Sequence, residues 1–471
     1  MHTDKDHHTH RLFAHQALLP EGWRNSVMLE WDEQGCITSV SPDYAQAPGA
    51  EAAAEAADIV LPGMVNLHSH AFQRAMSGLT EYRANPVDSF WSWRTLMYRF
   101  AHKLTPPVLQ AVARRLYVEM LQAGYTSVCE FHYLHHDAGG KPYANRAETS
   151  ACLIAAAQEA GIGLTLLPVM YQYSGFGGQA PLEHQARFIN SPDWILRLLD
   201  DLQTAHPQHA GLRYGVAPHS LRAVAPDSLR ALLAGLHQFD SRAPVHIHIA
   251  EQVQEVNDSV AFCGSRPVAW LLDNVAVDQR WCLVHATHMT EAETTALARS
   301  GASAGICPST EANLGDGIFN GLQYAQAGGA WGIGSDSHVC VDMLEELRLY
   351  EYSQRLLHRK RNVLADESAG HVGAYLYNQA LRGGAQASAR PVQGLAPGQC
   401  ADFITLDAAH PDLYRKSGNT LLDSLVFSRH GSSPIQDVIS RGTRVVQGGK
   451  HILDDSSAQE YRDALGQLQD N

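Results

Sequence analysis

Paired histidines stand in this chain at a spacing that suits a metal site. His68 and His70 are separated by one residue, and so are His246 and His248. Alternate residues of a strand point the same way, so such a pair can aim two imidazoles at one point. The chain holds 26 histidines among 471 residues. Roughly one or two H-x-H triplets would then occur by chance, so the spacing gains weight only from the elements around it.

Eight short apolar, β-branched runs, separated by polar turns and amphipathic helical stretches, predict the strands of a TIM-like (β/α)8 barrel. The predicted strands are 60–70, 126–132, 163–171, 212–220, 244–251, 281–287, 301–310 and 331–337. A doubly wound open sheet is the alternative, but no G-x-G-x-x-G follows an early strand. The sequence therefore favours an α/β fold built on a barrel.

Both ends of the chain carry strand-like runs of another kind, which are short and separated by Gly, Pro or Asp. They are 26–31 and 36–40 near the start, and 401–406, 437–440 and 443–447 near the end. We expect one small β-sandwich domain assembled from both termini. Residues 1–59 and 391–471 would form its two parts, and residues 60–390 the barrel.

Histidines and carboxylates come near the ends of four predicted strands: His68 and His70 on the first, His248 and Glu251 on the fifth, His285 on the sixth, and Asp336 on the eighth. Barrel enzymes place their active site at that face. His68, His70, one fifth-strand histidine and Asp336 make an N₃O set suited to Zn²⁺, with room for a water. We favour His248 over His246 because it lies nearer the strand's carboxyl end. The fourth strand has no lysine near its end, which favours a single metal.

A zinc site that makes hydroxide near neutral pH also needs groups to move protons. We expect Asp336 to bind the metal and accept a proton from water, His285 to hold the hydroxide, and Glu251 to carry a proton to a leaving nitrogen. The alternative for each residue is an ordinary hydrogen-bonded role beside the site.

These residues lie in strings that resemble the amidohydrolase superfamily: PGM at 62–64 leading into HSH at 68–70, APHS at 217–220, HIAE at 248–251 and GSDS at 334–337. Longer strings at 61–78, 88–98, 130–136 and 307–319 are similar to the formimidoylglutamate deiminases (N-formimino-L-glutamate iminohydrolases) of its deaminase branch.

The resemblance implies hydrolysis of N-formimino-L-glutamate to N-formyl-L-glutamate and ammonia, in histidine degradation, at one zinc per chain. Metal-activated hydroxide would attack the formimino carbon. The implied metal ligands are His68, His70, His248 and Asp336, and the implied proton-handling residues are Glu251, His285 and Asp336. This set agrees with the one built from the strand ends.

Such a substrate carries two carboxylates, which need fixed cations or donors when buried. Arg94 and Arg222 are candidates, expected in loops beyond strand ends, and the resemblance supports both. Gln73, Tyr133 and His219 are expected nearby as hydrogen-bonding partners. Aromatic residues around Arg94 are expected to pack that loop or a dimer contact; they are Phe90, Trp91, Trp93, Tyr98 and Phe100.

Charge and hydropathy narrow the possible partners. Lys and Arg number 35 against 49 Asp and Glu, a net charge of -14, which disfavours nucleic acid and anionic membranes. No long apolar run predicts a membrane helix or signal peptide, so we expect a soluble, cytoplasmic protein. The resemblance suggests a homodimer.

Two alternatives stay open. Another mononuclear zinc amidohydrolase could deaminate a nucleobase or triazine, although two arginines favour an acyclic dianion. A barrel that had lost its chemistry would be expected to lack at least one ligand or proton-handling residue, and none is missing.

Overall fold

A computed structural model describes residues 10–44, 55–82, 90–365, 370–428 and 431–469. Within them the strands are β1 (His10–Leu19), β2 (Gly22–Trp31), β3 (Ile37–Ser41), β4 (Glu55–Pro62), β5 (Met64–Ser69), β6 (Tyr125–His132), β7 (Gly163–Met170), β8 (Leu212–Tyr214), β9 (Ala217–Pro218), β10 (Val245–Ile249), β11 (Trp281–His285), β12 (Ser303–Ile306), β13 (Ala330–Ile333), β14 (Phe403–Leu406), β15 (Ile435–Ser440), β16 (Thr443–Gln447) and β17 (Lys450–His451).

The α-helices of the same residues are α1 (Phe90–Lys103), α2 (Pro106–Gln122), α3 (Glu148–Ala160), α4 (Pro192–Ala205), α5 (Pro226–Phe239), α6 (Val253–Cys263), α7 (Pro267–Asn274), α8 (Glu291–Ser300), α9 (Pro308–Leu314), α10 (Gly321–Gln326), α11 (Met343–His358), α12 (Val372–Ser388), α13 (Asn419–Phe427) and α14 (Asp454–Gln469). Short 3₁₀ helices lie at Ala71–Met76 and Glu183–Phe188.

The strands from β5 to β13 form the predicted barrel. Strands β5, β6, β7 and β8 pair in parallel, β9 pairs with β7, and β10 to β13 form a second parallel arc. Parallel bridges from Val216 to Val245 and from Ser69 to Asp336 join the two arcs. The strands therefore close on themselves, and their carboxyl ends share one face.

Apolar strands and amphipathic helices build this architecture. Every residue of β7 is buried, as expected for a parallel strand covered on both faces. Ser191 precedes helix α4 and caps it, because its hydroxyl accepts a hydrogen bond from the Trp194 N–H. Its buried residues recur at helical spacing and face the barrel; they are Ile195, Leu198, Leu199 and Leu202.

Three predicted strands were wrong in their bounds. The seventh, 301–310, ends at Ile306, and helix α9 begins at Pro308. The first predicted strand, 60–70, joins two elements, because β4 ends at Pro62 and β5 begins at Met64. Gly63 stands between them and packs closely against β6, since a Cβ there would lie 2.3 Å from the Thr126 side chain. The fourth predicted strand is split around Gly215, where a Cβ would lie 2.3 Å from the Pro244 carbonyl oxygen.

The terminal strands form a second, mostly antiparallel sheet in the order β17-β16-β15-β14-β4-β1-β2-β3. The Trp31 ring on β2 packs 5.6 Å from Phe403 on β14, whereas a flat sheet would hold those strands about 14 Å apart. The Ile37 N–H also donates to the Gln399 carbonyl at 2.8 Å. The sheet therefore curls on itself around its own apolar core, which confirms a small β domain made from both termini.

Sequence patterns did not single out several parts of this domain, including β1, β4, β17 and helix α14. The histidine-rich start, residues 1–9, lies outside the described residues. No helix among the described residues is long and apolar enough to cross a membrane.

Candidate active site

Three imidazoles and one carboxylate meet at the carboxyl ends of β5, β10 and β13. The His68 Nε2 atom lies 3.2 Å from His70 Nε2 and 3.0 Å from His248 Nε2. The Asp336 Oδ1 atom lies 3.4 Å from the Nε2 atoms of both His68 and His70. Ligand atoms placed tetrahedrally at zinc distances would be about 3.3 Å apart. The spacing of these side chains therefore fits one ion of that size.

Hydrogen bonds and burial prepare these side chains for a cation. His70 Nδ1 lies 2.9 Å from the Phe131 carbonyl and His248 Nδ1 lies 3.2 Å from the His219 carbonyl. Both bonds require the proton on Nδ1, which leaves the Nε2 lone pairs facing the cluster. Burial lowers the pKa of His68 to about 3 and also lowers the pKa values of His70 and His248, so all three imidazoles are neutral.

Asp336 stays ionised in this setting. Burial alone would raise its pKa, but the hydrogen bond to His68 and the positive charge of His285 hold the pKa below its ordinary value. Its backbone φ is 46°, in the left-handed region, where a non-glycine residue is strained. Two bonds hold it there: its N–H donates to the His68 carbonyl at 3.0 Å, and its own carbonyl accepts from the His70 N–H at 3.3 Å.

A second group of titratable side chains adjoins the first. His285 Nε2 lies 3.7 Å from Asp336 Oδ2 and 3.8 Å from Glu251 Oε1. Burial raises the pKa of Glu251 to about 7. Burial by itself would lower the pKa of His285, but Glu251, Glu311 and Asp336 together raise it to about 10. These three residues can therefore exchange protons beside one reacting centre.

A pocket opens over both groups. Its lining is His70, Gln73, Phe90, Trp93, Arg94, Met97, Tyr98, Tyr133, Tyr171, Phe188, His219, Arg222, His248, Glu251, His285, Leu314 and Asp336. A larger cavity of about 810 Å³ opens elsewhere, among residues such as Gln208, Arg213 and Arg390. None of the clustered histidines lines it. We place the candidate active site in the first pocket because the convergent groups lie there.

Both predicted arginines line this pocket, but Arg94 does not lie in a loop. It is on helix α1, and that part of the prediction was wrong. The buried residues of α1, Met97, Tyr98 and Ala101, do follow a helical spacing, but the aromatic residues before Arg94 are not buried and hid that pattern. The guanidinium of Arg94 bonds to the hydroxyls of Tyr98 and Tyr171.

Arg222 lies in the turn after β9 and is almost fully buried. Its Nε and Nη1 atoms have no hydrogen-bond partner among the described residues. The guanidinium carbons of Arg94 and Arg222 lie 5.4 and 5.7 Å from the centre of the Trp91 ring. Neither arginine forms an ion pair with a carboxylate in the described part of the chain. Among the described residues, the pocket thus holds two cations with no carboxylate paired to either.

The remaining predicted contacts also border the pocket. Gln73 Nε2 donates to the Tyr133 hydroxyl at 3.0 Å, while Gln73 Oε1 is buried without a partner in the described structure. The His219 ring packs 4.9 Å from His248 and 4.6 Å from Tyr171. His219 therefore lies between the metal-type cluster and the Arg94 side of the pocket.

Sequence reasoning missed several supporting residues. Glu130 accepts hydrogen bonds from the Ser69 hydroxyl at 2.6 Å and the Ala71 N–H at 2.7 Å. His338 Nε2 accepts from the His70 N–H at 3.2 Å. Both fix the turn that carries His70. Two positions in the sequence could have indicated these residues. Glu130 is the first residue of the string at 130–136, and His338 follows Asp336 by two residues.

The model of the amidohydrolase family matches residues 59–445. A Pseudomonas aeruginosa protein named formimidoylglutamate deiminase is 51% identical over 459 residues, which cover 98% of this chain and 99% of that protein.

Solved structures include another amidohydrolase that resembles this chain. An amidohydrolase from Brucella melitensis superposes with a TM-score of 0.91 at 49% identity, covering 98% of this chain and 100% of that one. An adenosine deaminase from Xanthomonas campestris with bound zinc superposes with a TM-score of 0.79 at 20% identity, covering 98% of both chains. The last likeness is one of fold.

Proposed function

Because this chain belongs to the amidohydrolase family, we propose that it hydrolyses N-formimino-L-glutamate to N-formyl-L-glutamate and ammonia, a step of histidine degradation. The name of the Pseudomonas aeruginosa relative supports this substrate. The chemistry of the pocket supports it independently.

One observation carries the substrate proposal: two arginines lie in one buried pocket with no carboxylate paired to either, within the described residues. Burying a cation without a partner is costly. A ligand with two carboxylates would satisfy both guanidinium groups, and Arg is well suited to carboxylate recognition. A flat nucleobase would leave both cations unpaired.

We propose one zinc ion per chain, held by His68, His70, His248 and Asp336. Their neutral imidazoles, ionised carboxylate and mutual spacing fit the ion. When bound, such an ion acts as a Lewis acid that lowers the pKa of water.

The protein's own groups then move the protons. Asp336 accepts a proton from the attacking water, whose oxygen forms the new bond to the formimino carbon. His285, with its pKa raised to about 10, holds that oxygen by donating a hydrogen bond. Glu251, with its pKa raised to about 7 by burial, transfers a proton to the terminal formimino nitrogen. This leaves a tetrahedral carbon that carries a hydroxyl and an NH₂ group. The hydroxyl proton then passes by way of Asp336 and Glu251 to that nitrogen, the bond from carbon to nitrogen breaks, ammonia leaves, and the carbon becomes the formyl group.

Gln73 and Tyr133 orient the reacting end of the substrate. Gln73 donates its amide N–H to the Tyr133 hydroxyl, and its unpartnered Oε1 is an acceptor suited to a formimino N–H. His219 separates this end from the Arg94 side. Arg94 and Arg222 hold the carboxylates, which places the formimino carbon over the cluster.

Three further proposals accompany this function. The chain divides into residues 1–59 and 391–471, which form the β domain, and residues 60–390, which form the barrel. The protein is a homodimer in the cytoplasm. Analytical ultracentrifugation of the full chain tests the dimer, and a sedimentation mass near 51.5 kDa would contradict it.

The decisive experiment incubates zinc-loaded protein with N-formimino-L-glutamate, and in parallel with guanine, cytosine and a triazine. We expect ammonia and N-formyl-L-glutamate in equal amounts from the first, and no ammonia from the others. Preference for a ring substrate would refute the substrate and leave the zinc proposal standing. Release of glutamate in place of N-formyl-L-glutamate would refute the proposed bond cleavage.

A further inference from the structure

Arg94 belongs to a closed ring of hydrogen bonds at the far side of the pocket. Arg94 Nε donates to the Tyr98 hydroxyl in a short bond, and Arg94 Nη2 donates to the Tyr171 hydroxyl at 2.9 Å. Gln185 Nε2 donates to the same two oxygens, at 3.1 Å for Tyr98 and 3.0 Å for Tyr171. Each phenol oxygen therefore receives two hydrogen bonds.

The orientation of the Gln185 amide follows from its other contact. Gln185 Oε1 accepts from the Leu182 N–H at 2.8 Å. A backbone N–H can only donate, so the amide oxygen must face Leu182 and the amide nitrogen must face the tyrosines. Gln185 is fully buried at the Glu183–Phe188 turn, so no water competes for this arrangement.

At least one of the two phenol hydrogens has no acceptor within this ring. A hydroxyl oxygen offers two acceptor positions and one donor hydrogen, and in both tyrosines the acceptor positions are filled. If one phenol turned its hydrogen toward the other, the second hydrogen would still point elsewhere. Tyr98 and Tyr171 both line the pocket. Apart from the hydrogen bond that Tyr98 shares with Tyr171, no acceptor for either hydroxyl hydrogen is found among residues 10–44, 55–82, 90–365, 370–428 and 431–469.

We propose that Gln185, Tyr98 and Tyr171 make the Arg94 side of the pocket a site that only donates hydrogen bonds, and thereby select a carboxylate over an amide in the substrate. The proposal rests on the proposed function for the identity of that substrate. The tyrosines contact the ligand, and Gln185 acts as a positioning residue that keeps their oxygens occupied as acceptors.

The physical reason is the match of donors to acceptors. A carboxylate brings two oxygens that accept a free phenol hydrogen and the remaining guanidinium N–H groups. An amide in the same place would bring an NH₂ group that faces only donors. Because Tyr98, Tyr171 and Gln185 are all buried, the mismatch would not be relieved by solvent.

Gln185→Glu tests the positioning role with almost no change of shape. One carboxylate oxygen would still accept from Leu182, and the other would accept the phenol hydrogens and turn them away from the pocket. We expect KM for N-formimino-L-glutamate to rise about 100-fold with kcat within about threefold. The preference for N-formimino-L-glutamate over N-formimino-L-glutamine should fall at least tenfold, on the order of one lost charged hydrogen bond.

Tyr98→Phe and Tyr171→Phe test the donors, and each should raise KM about 10-fold or more without a similar fall in kcat. Tyr324→Phe is the matched control, because that buried phenol bonds to the Ala302 and Ala330 carbonyls outside the pocket. This substitution should lower the melting temperature and leave KM unchanged. Unchanged KM in both pocket variants, or an unchanged acid-to-amide preference in Gln185→Glu, would overturn the proposal.

Calorimetric binding separates this proposal from the function on which it rests. Glutarate and glutaramate are titrated into zinc-loaded wild type and Gln185→Glu protein. If wild type fails to deaminate N-formimino-L-glutamate but binds glutarate over glutaramate, and the variant loses that preference, the function fails and the selective site stands. If wild type shows no such preference, the selective site fails whatever the turnover.

Discussion

His285 Nδ1 faces the carboxylate of Glu311 at 3.3 Å, and the same oxygen accepts the Cys307 N–H at 2.9 Å. Glu311 lies at the buried start of α9 and is tied to the backbone, so it holds the imidazole with its Nδ1 proton directed outward from the reacting centre. His285 Nε2 is thereby left facing Glu251 and Asp336.

Glu311→Gln should therefore lower kcat about 10- to 100-fold while KM changes little, because the neutral amide keeps the hydrogen bonds and loses the charge. Steady-state kinetics on N-formimino-L-glutamate measures both constants. Glu291→Gln, an exposed position at the start of α8, is the control and should behave as wild type. An equal fall in kcat in the control, or a change confined to KM, would contradict this role.

Arg222→Met should raise KM at least 100-fold with a smaller change in kcat, since it removes a buried cation that has no partner among the described side chains. Arg94→Met should do the same. Arg230→Met serves as the matched control, because Arg230 is an exposed arginine of α5 paired with Asp227. Normal kinetics in either pocket variant would remove that arginine from carboxylate binding.

Glu251→Gln should abolish most turnover and keep the metal. The amide cannot carry the proton that Glu251, with a pKa raised to about 7, can take up and release. Metal content by elemental analysis is measured beside ammonia release on the same preparation. A protein that loses its zinc together with its activity would identify Glu251 as a ligand.

His248→Ala should lower the zinc content well below one per chain, whereas His246→Ala should keep it. Both histidines belong to β10, but His246 Nε2 bonds to the Ala387 carbonyl at 2.9 Å, away from the cluster, while His248 Nε2 lies 3.0 Å from His68 Nε2. Folded, soluble protein of each variant is analysed for metal. Equal zinc in the two variants would refute the choice of His248 as ligand.

Stability should also depend on Glu346, a fully buried residue of α11. Burial raises its pKa from 4.5 to about 8, although the Ser309 hydroxyl and N–H both donate to it. The folded protein then holds a proton that the unfolded chain releases near pH 4.5. The contribution of this proton to the stability of the folded protein is complete below pH 4.5 and is lost as the pH rises toward 8.

Relative to wild type, Glu346→Gln should gain stability as the pH rises from 5 to 7, by roughly 2 kcal/mol. Melting temperatures of both proteins across that range provide the measurement. Glu345→Gln, on the partly exposed neighbour paired with Arg348, should show no such trend. A difference between wild type and Glu346→Gln that is constant with pH would contradict the raised pKa.

The order of apolar runs and helical stretches was enough to predict the barrel, the β domain from both termini and the residues near each strand's end. This worked because a parallel barrel places all its carboxyl ends on one face, so His68, His248, His285 and Asp336 share that face whatever the loop lengths. Sequence periodicity could not show that β4 and β5 are separate strands. Gly63, which separates them, packs against Thr126, a residue far along the chain.

Tertiary structure alone decided the hydrogen-bond partners that give the site its selectivity. Arg94, Tyr171 and Gln185 lie in three different parts of the chain. Nothing in their spacing predicts that Arg94 and Gln185 donate to the same tyrosine oxygens. The same holds for Glu311, which reaches His285 across 26 residues. Local sequence determines which elements form, whereas the direction of a donor or acceptor depends on how those elements pack.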